Sequence, residues 1–139
     1  TADPKAKYFL RGEDPKMEYS LLIELGVHAS NFENEVSYVA DKLHPRGFFI
    51  YSISGKSSLH VKFKLQGKDY VKDYLDYEEY EKIIRKRFDV ISAKPYGIFI
   101  PKLWAFPAFA RVTQPILESV FRNVFPNLFH ETIYLLRKK

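Results

Sequence analysis

Two stretches of this chain are almost continuously hydrophobic, Tyr19 to Leu25 (YSLLIEL) and Phe48 to Ile53 (FFIYSI). Short unbroken apolar runs of this kind predict strands buried on both faces, as in parallel sheets. Between them Phe32, Val36, Val39, Ala40 and Leu43 recur at helical spacing, which predicts an amphipathic helix with one face turned to a core. Ser30 followed by Glu33 reads as a capping box at its start, with Asn31 as a further cap. His44-Pro45-Arg46-Gly47 ends it as a tight turn.

The pattern continues on both sides. Ala6 to Leu10 forms a short candidate strand, stopped by Arg11-Gly12-Glu13-Asp14-Pro15. Ser52 to Ser58 reads as a small polar loop. Leu59 to Gln66 alternates apolar and polar residues, the mark of a half-exposed strand or extended excursion. Asp76 with Glu79 caps a second helix, whose inner face is Tyr77, Tyr80, Ile83, Ile84 and Phe88, and Asp89 to Ile91 begins another strand. Pro95 to Pro115 is rich in aromatic residues and proline. Pro115 suits the first turn of a helix with Ile116, Leu117, Val120, Phe121 and Val124 as its apolar stripe. Pro126-Asn127 ends that helix, and His130 to Leu136 is a last strand. Alternating units predict a single α/β domain over residues 1–139, with a mostly parallel sheet and flanking helices. Ligands in such sheets bind beyond the carboxyl ends of the strands. The loops to watch are then Gly12 to Asp14, Gly26 to Asn31 and Ser52 to Ser58.

Composition narrows the function classes. At 139 residues the chain has the length of one domain, and 17% aromatic residues argues against disorder. No apolar run reaches about 18 residues, so no membrane span is expected, and TADPKAKYF lacks the apolar stretch of a secretory signal. The absence of cysteine excludes disulfides, thiolate metal sites and cysteine nucleophiles, and fits a cytoplasmic location. A net charge of +5 is a mild excess. It suits an anionic ligand but does not single out nucleic acid as a partner.

Taken in order, AKYFLRGED, YSLLIELGVHAS and FENEVSYVADKLHPRGFFIYSIS resemble the second half of class I S-adenosylmethionine-dependent methyltransferases. Leu43-His44-Pro45-Arg46-Gly47 occupies the position of that family's Leu-x-Pro-Gly-Gly turn. DYEEYEKIIRKRF, from Asp76 to Phe88, is similar to the helix before its sixth strand, and FHETIYLLRKK looks like its closing antiparallel strand. The resemblance implies a Rossmann-like fold and methyl transfer to a small-molecule acceptor. Arg46 departs from the family's glycine, and Ser20 from its aspartate. The front half, with the Gly-x-Gly loop that cradles the cofactor, has no counterpart. The six glycines, at 12, 26, 47, 55, 67 and 97, form no such loop. The lone chain is therefore expected to bind S-adenosylmethionine poorly. Loss of the front strands also leaves the edge of Tyr19–Leu25 open to a second copy, to a missing half, or to the N-terminal strand.

The resemblance assigns roles to a few positions. Glu13 or Asp14 would accept a hydrogen bond from the adenine amino group, although Gly-Glu-Asp-Pro is also ordinary turn chemistry. Leu25 and Gly26 would line the cofactor. His28, directly after a strand, would orient substrate or act as general base; it reads equally as a polar helix-entry residue. Trp104 and Phe106 would belong to a lid over an apolar substrate, or would simply pack a small core. Lys56, Lys62, Lys64, Lys68 and Lys72 form a basic stretch interleaved with tyrosine, read as a solvated face. His28, His44, His60 and His130 show no metal-ligand spacing, and His130-Glu131 lacks the second histidine of a zinc motif. A non-enzymatic binding or oligomerisation module that uses the open sheet edge is the alternative reading.

Overall fold

The computed structural model of the chain describes residues 19–24, 31–63, 74–98 and 105–139. Its elements are β1 (Tyr19–Glu24), α1 (Phe32–Lys42), β2 (Leu43–Ile53), α2 (Leu59–Lys62), α3 (Tyr77–Ile84), β3 (Phe88–Tyr96), α4 (Pro107–Val124) and β4 (Glu131–Lys138). The strand order is β1-β2-β4-β3. β1 pairs parallel with β2, while β2 and β3 each pair antiparallel with β4. Three strands thus share one direction. The chain is an α/β protein, but the expected mostly parallel sheet is in fact mixed. β4 enters between β2 and β3, so one reversed strand makes two of the pairings antiparallel. The two long apolar runs are adjacent parallel strands with α1 between them in the chain, as their pattern predicts.

The core lies on one face of this sheet. Phe49 pairs with Leu136 and Tyr51 with Tyr134, and because side chains alternate along a strand these four share a face. All five positions on the predicted face of α1, Phe32, Val36, Val39, Ala40 and Leu43, are buried there, as are Tyr77, Tyr80 and Ile84 of α3 and Phe88. Aromatic rings join the layers. Phe32 meets Tyr80 edge-on at 4.7 Å between centroids, and Phe49 lies 4.8 Å from Tyr51 and 5.9 Å from Phe88.

Caps and turns follow the sequence with some changes. Asn31 caps α1, accepting from the Asn34 backbone N–H at 3.2 Å; Ser30 lies outside the described residues. Asp76 and Glu79 form the expected capping box on α3. His44–Gly47 lies within the bounds of β2 as a step in register: Tyr19 faces Leu43, but Leu21 already faces Phe48. Arg46 there has φ +63°, the left-handed conformation that a glycine adopts without steric cost. At Gly47 a Cβ would lie 2.9 Å from the His44 carbonyl oxygen.

Five expectations are corrected. Leu59–Gln66 does not begin as a strand: the buried Ser58 hydroxyl accepts from the Val61 N–H at 3.3 Å and starts the short helix α2. This local side-chain bond outweighs the alternating pattern. Ser52 and Ile53 belong to β2 rather than to a loop. Pro115 sits inside α4, and Pro107 holds the first turn. The stripe assigned to that helix does not turn inward as a whole either: Ile116, Val120 and Val124 are exposed, and only Ala110 is fully buried. Nor are the apolar runs covered on both faces. Leu21, Ile23, Phe48 and Ile133 remain exposed on the side away from α1 and α3. Ala6–Leu10 lies outside the described residues.

Candidate functional site

Strand direction gathers polar side chains at one end of the sheet. Because β2 and β3 are co-directional and β4 opposes them, the carboxyl ends of β2 and β3 meet the start of β4. Ser52, Tyr96 and Glu131 occupy those ends. Tyr96 and Glu131 are direct cross-strand partners, and Ser52 is opposite Ile133. By alternation all three point to the face opposite the aromatic core.

They form one hydrogen-bonded group. The Ser52 and Tyr96 hydroxyls both donate to Glu131 Oε2, and the two hydroxyl oxygens are 3.4 Å apart. The other carboxylate oxygen, Oε1, is 3.5 Å from His130 Nε2. The His130 ring packs on His60 of α2 with centroids 4.2 Å apart. Ser52 is fully buried. Burial, and then the adjacent Glu131 carboxylate, push the Tyr96 phenol above its ordinary value, so it stays protonated and donates. Among the described residues, His130 Nδ1 is buried with no hydrogen-bond partner. The arrangement is a carboxylate held by two hydroxyls beside a pair of histidines in tilted ring contact, an arrangement able to hold or relay a proton.

Behind the site, Tyr77 supports the approach to β4. Its hydroxyl donates to the Phe129 carbonyl at 3.5 Å. Its ring fills the space beside Gly55, where a Cβ would lie 2.4 Å from Tyr77 Cε2. Burial raises the Tyr77 phenol pKa.

The histidine pair has a consequence for stability. Burial first, and then repulsion from His130, lower the His60 pKa below 6.5, with Glu131 opposing. The folded state therefore binds fewer protons here than the unfolded state as pH drops below about 6.5. The contribution of His60 is present above that value and is lost as pH falls through the folded pKa. Urea midpoints are expected to fall between about pH 7.5 and 5, with a smaller fall in His60→Gln. An equal fall in the variant would remove His60 as the cause.

Of the positions assigned by resemblance, Phe106 alone is among the described residues. Glu13, Asp14, Leu25, Gly26, His28 and Trp104 are outside the described residues. Phe106 stands exposed as the N-cap of α4. Lys56 and Lys62 are exposed, whereas Lys64, Lys68 and Lys72 lie outside the described residues. The cluster itself joins residues that sequence reading kept apart: Ser52 in a loop, His60 in an excursion, Tyr96 in an aromatic tract and Glu131 in a broken zinc motif. A polar residue near the end of an apolar strand was the available signal, and it becomes informative only once strand order is known.

Protein atoms fill the Cβ space of Gly47 and Gly55, and a Cβ added at Gly97, which has φ +70°, would lie 3.5 Å from His130 Cβ. Among the described residues no group of three or more His, Asp or Glu side chains is placed to hold a metal ion, and no helix is long and apolar enough to cross a membrane. No protein-family model matches the chain, and no curated protein matches it.

Proposed function

We propose that this chain is the carboxyl half of a Rossmann-like, S-adenosylmethionine-dependent methyltransferase fold. Completed by a cofactor-binding half, it transfers a methyl group to a small-molecule acceptor. The observation that carries this reading is the strand arrangement: two adjacent parallel strands linked through a helix, a third co-directional strand, and a closing antiparallel strand. The resemblance implies such a closing strand. The exposed apolar side chains Leu21, Ile23 and Phe48 also support it, since sheets of this class carry helices on both faces. The polar cluster is at the carboxyl ends of β2 and β3, where ligands of such sheets bind. In this reading Glu13 or Asp14 takes the adenine amino group, Leu25 and Gly26 line the cofactor, His28 faces the acceptor, and Trp104 and Phe106 close over it.

Titration of S-adenosylhomocysteine tests the proposal. The 139-residue chain alone is expected to bind no tighter than about 1 mM. The product of the complete reading frame is expected to bind at least 100-fold tighter, on the order of 10 μM. Tight binding by the lone chain would overturn the half-domain reading, and no binding by the complete product would overturn the enzyme. One observation favours a second reading, a non-enzymatic module that pairs through its sheet edge: β1 is an edge strand.

A further inference from the structure

Helix α4 turns an apolar stripe away from the protein. Phe106 before its first turn and Phe109, Val112, Ile116, Val120 and Val124 along it are each 59–66% exposed. An isolated exposed valine means nothing, but an aligned stripe marks an interaction surface. We infer that this stripe is a self-association surface, through which α4 packs against α4 of a second copy of the chain.

Three observations select a second copy as the occupant. First, the stripe is close to palindromic about Ile116. In an antiparallel two-fold crossing centred there, Val112 of one copy meets Val120 of the other, and Phe109 falls within one residue of Val124. A two-fold interface demands such self-complementarity. Second, Val112, Ile116, Val120 and Val124 form one unbroken i+4 ridge of β-branched residues, the ridge that interdigitates in the commonest class of helix pairing. No charge interrupts it, so pairing buries none. Third, the exposed apolar area of the six side chains is on the order of 600 Å², counting a ring at about 200 Å² when fully exposed. That approaches the roughly 800 Å² per partner of a stable interface. A lipid surface fits less well: α4 carries only Arg111, Arg122 and Glu118, and Glu118 lies 3.6 Å from Arg122, whereas interfacial helices carry a strongly cationic polar face.

The test uses the two-fold axis, where Ile116 meets itself. Sedimentation equilibrium is expected to show a dimer for the unaltered chain. Ile116→Glu and Ile116→Lys are each expected to be monomeric, with association weakened about 100-fold or more. Because Ile116 is exposed in the monomer, both variants should keep the parent circular dichroism spectrum, while only the parent's melting temperature should rise with protein concentration. Mixing the two should restore a one-to-one heterodimer, because opposite charges then meet at the axis. An unaltered chain that is monomeric at about 100 μM overturns the inference. So does a dimer that survives both substitutions, which would place the contact elsewhere, as at the β1 edge. Binding of the monomer to anionic vesicles, lost in Ile116→Glu, would assign the stripe to a lipid surface instead.

Discussion

Phe49→Ala is expected to destabilise the protein by about 3–5 kcal/mol, a large share of the roughly 5–15 kcal/mol that holds a domain together. Phe49 is 1% exposed, and its ring lies against Tyr51 and Phe88. Removing the ring forfeits its burial and leaves a cavity. The surrounding rings, held by α1, α3 and the sheet, cannot close that cavity without losing their own contacts. The neighbouring Phe48 is 42% exposed on the other face, and Phe48→Ala should cost no more than about 1 kcal/mol. Urea unfolding of the two variants side by side therefore reads the strand register directly, since a slip of one residue exchanges the two faces. Equal losses, or a larger loss at Phe48, would show that the core is not on the face of α1 and α3.

Gly55→Ala is the second large effect. The added methyl would be 2.4 Å from Tyr77 Cε2 and 2.6 Å from Cζ. The ring cannot swing away freely, because it is buried and its hydroxyl donates to Phe129. The expected cost is about 1–3 kcal/mol. Tyr77→Leu shortens the side chain at the point of collision. In the double variant the Gly55→Ala penalty should fall by about 1 kcal/mol or more, the size of coupling that touching residues show. Additive losses would mean that the glycine is needed for its backbone alone. The same change should reach the polar cluster, because Tyr77 holds the segment just before His130 and Glu131. A shift in the His130 ring resonances of Gly55→Ala, absent from Phe48→Ala, is the readout.

Much of the fold was legible because it is local. The α1 face, Phe32 to Leu43, follows from helical spacing, and all five positions are buried. The Asp76–Glu79 box needs only residues three apart. The errors have two causes: a competing local signal at Leu59 and at Pro115, and tertiary packing at α4. The alternation at Leu59 looked like a strand until the Ser58 hydroxyl took the Val61 N–H. Pro115 reads as a first-turn residue, but Pro107 already begins the same helix about two turns earlier. The stripe of α4 has the periodicity of a core-facing helix, but periodicity says only that a face is apolar, not which way it turns.

The sequence by itself determined most of the strands and helices, the Leu59 segment and the start of α4 excepted, and that the apolar runs led by Tyr19 and Phe48 belong to one α/β sheet. These follow from side-chain period, caps and breakers, which act over a few residues. Only the tertiary structure decided that β4 runs between β2 and β3, and hence that Ser52, Tyr96 and Glu131 share a carboxylate-centred cluster beside His60 and His130. Residues 52, 96 and 131 are brought together by strand direction and order, and those are set by how whole layers bury their faces rather than by any local signal.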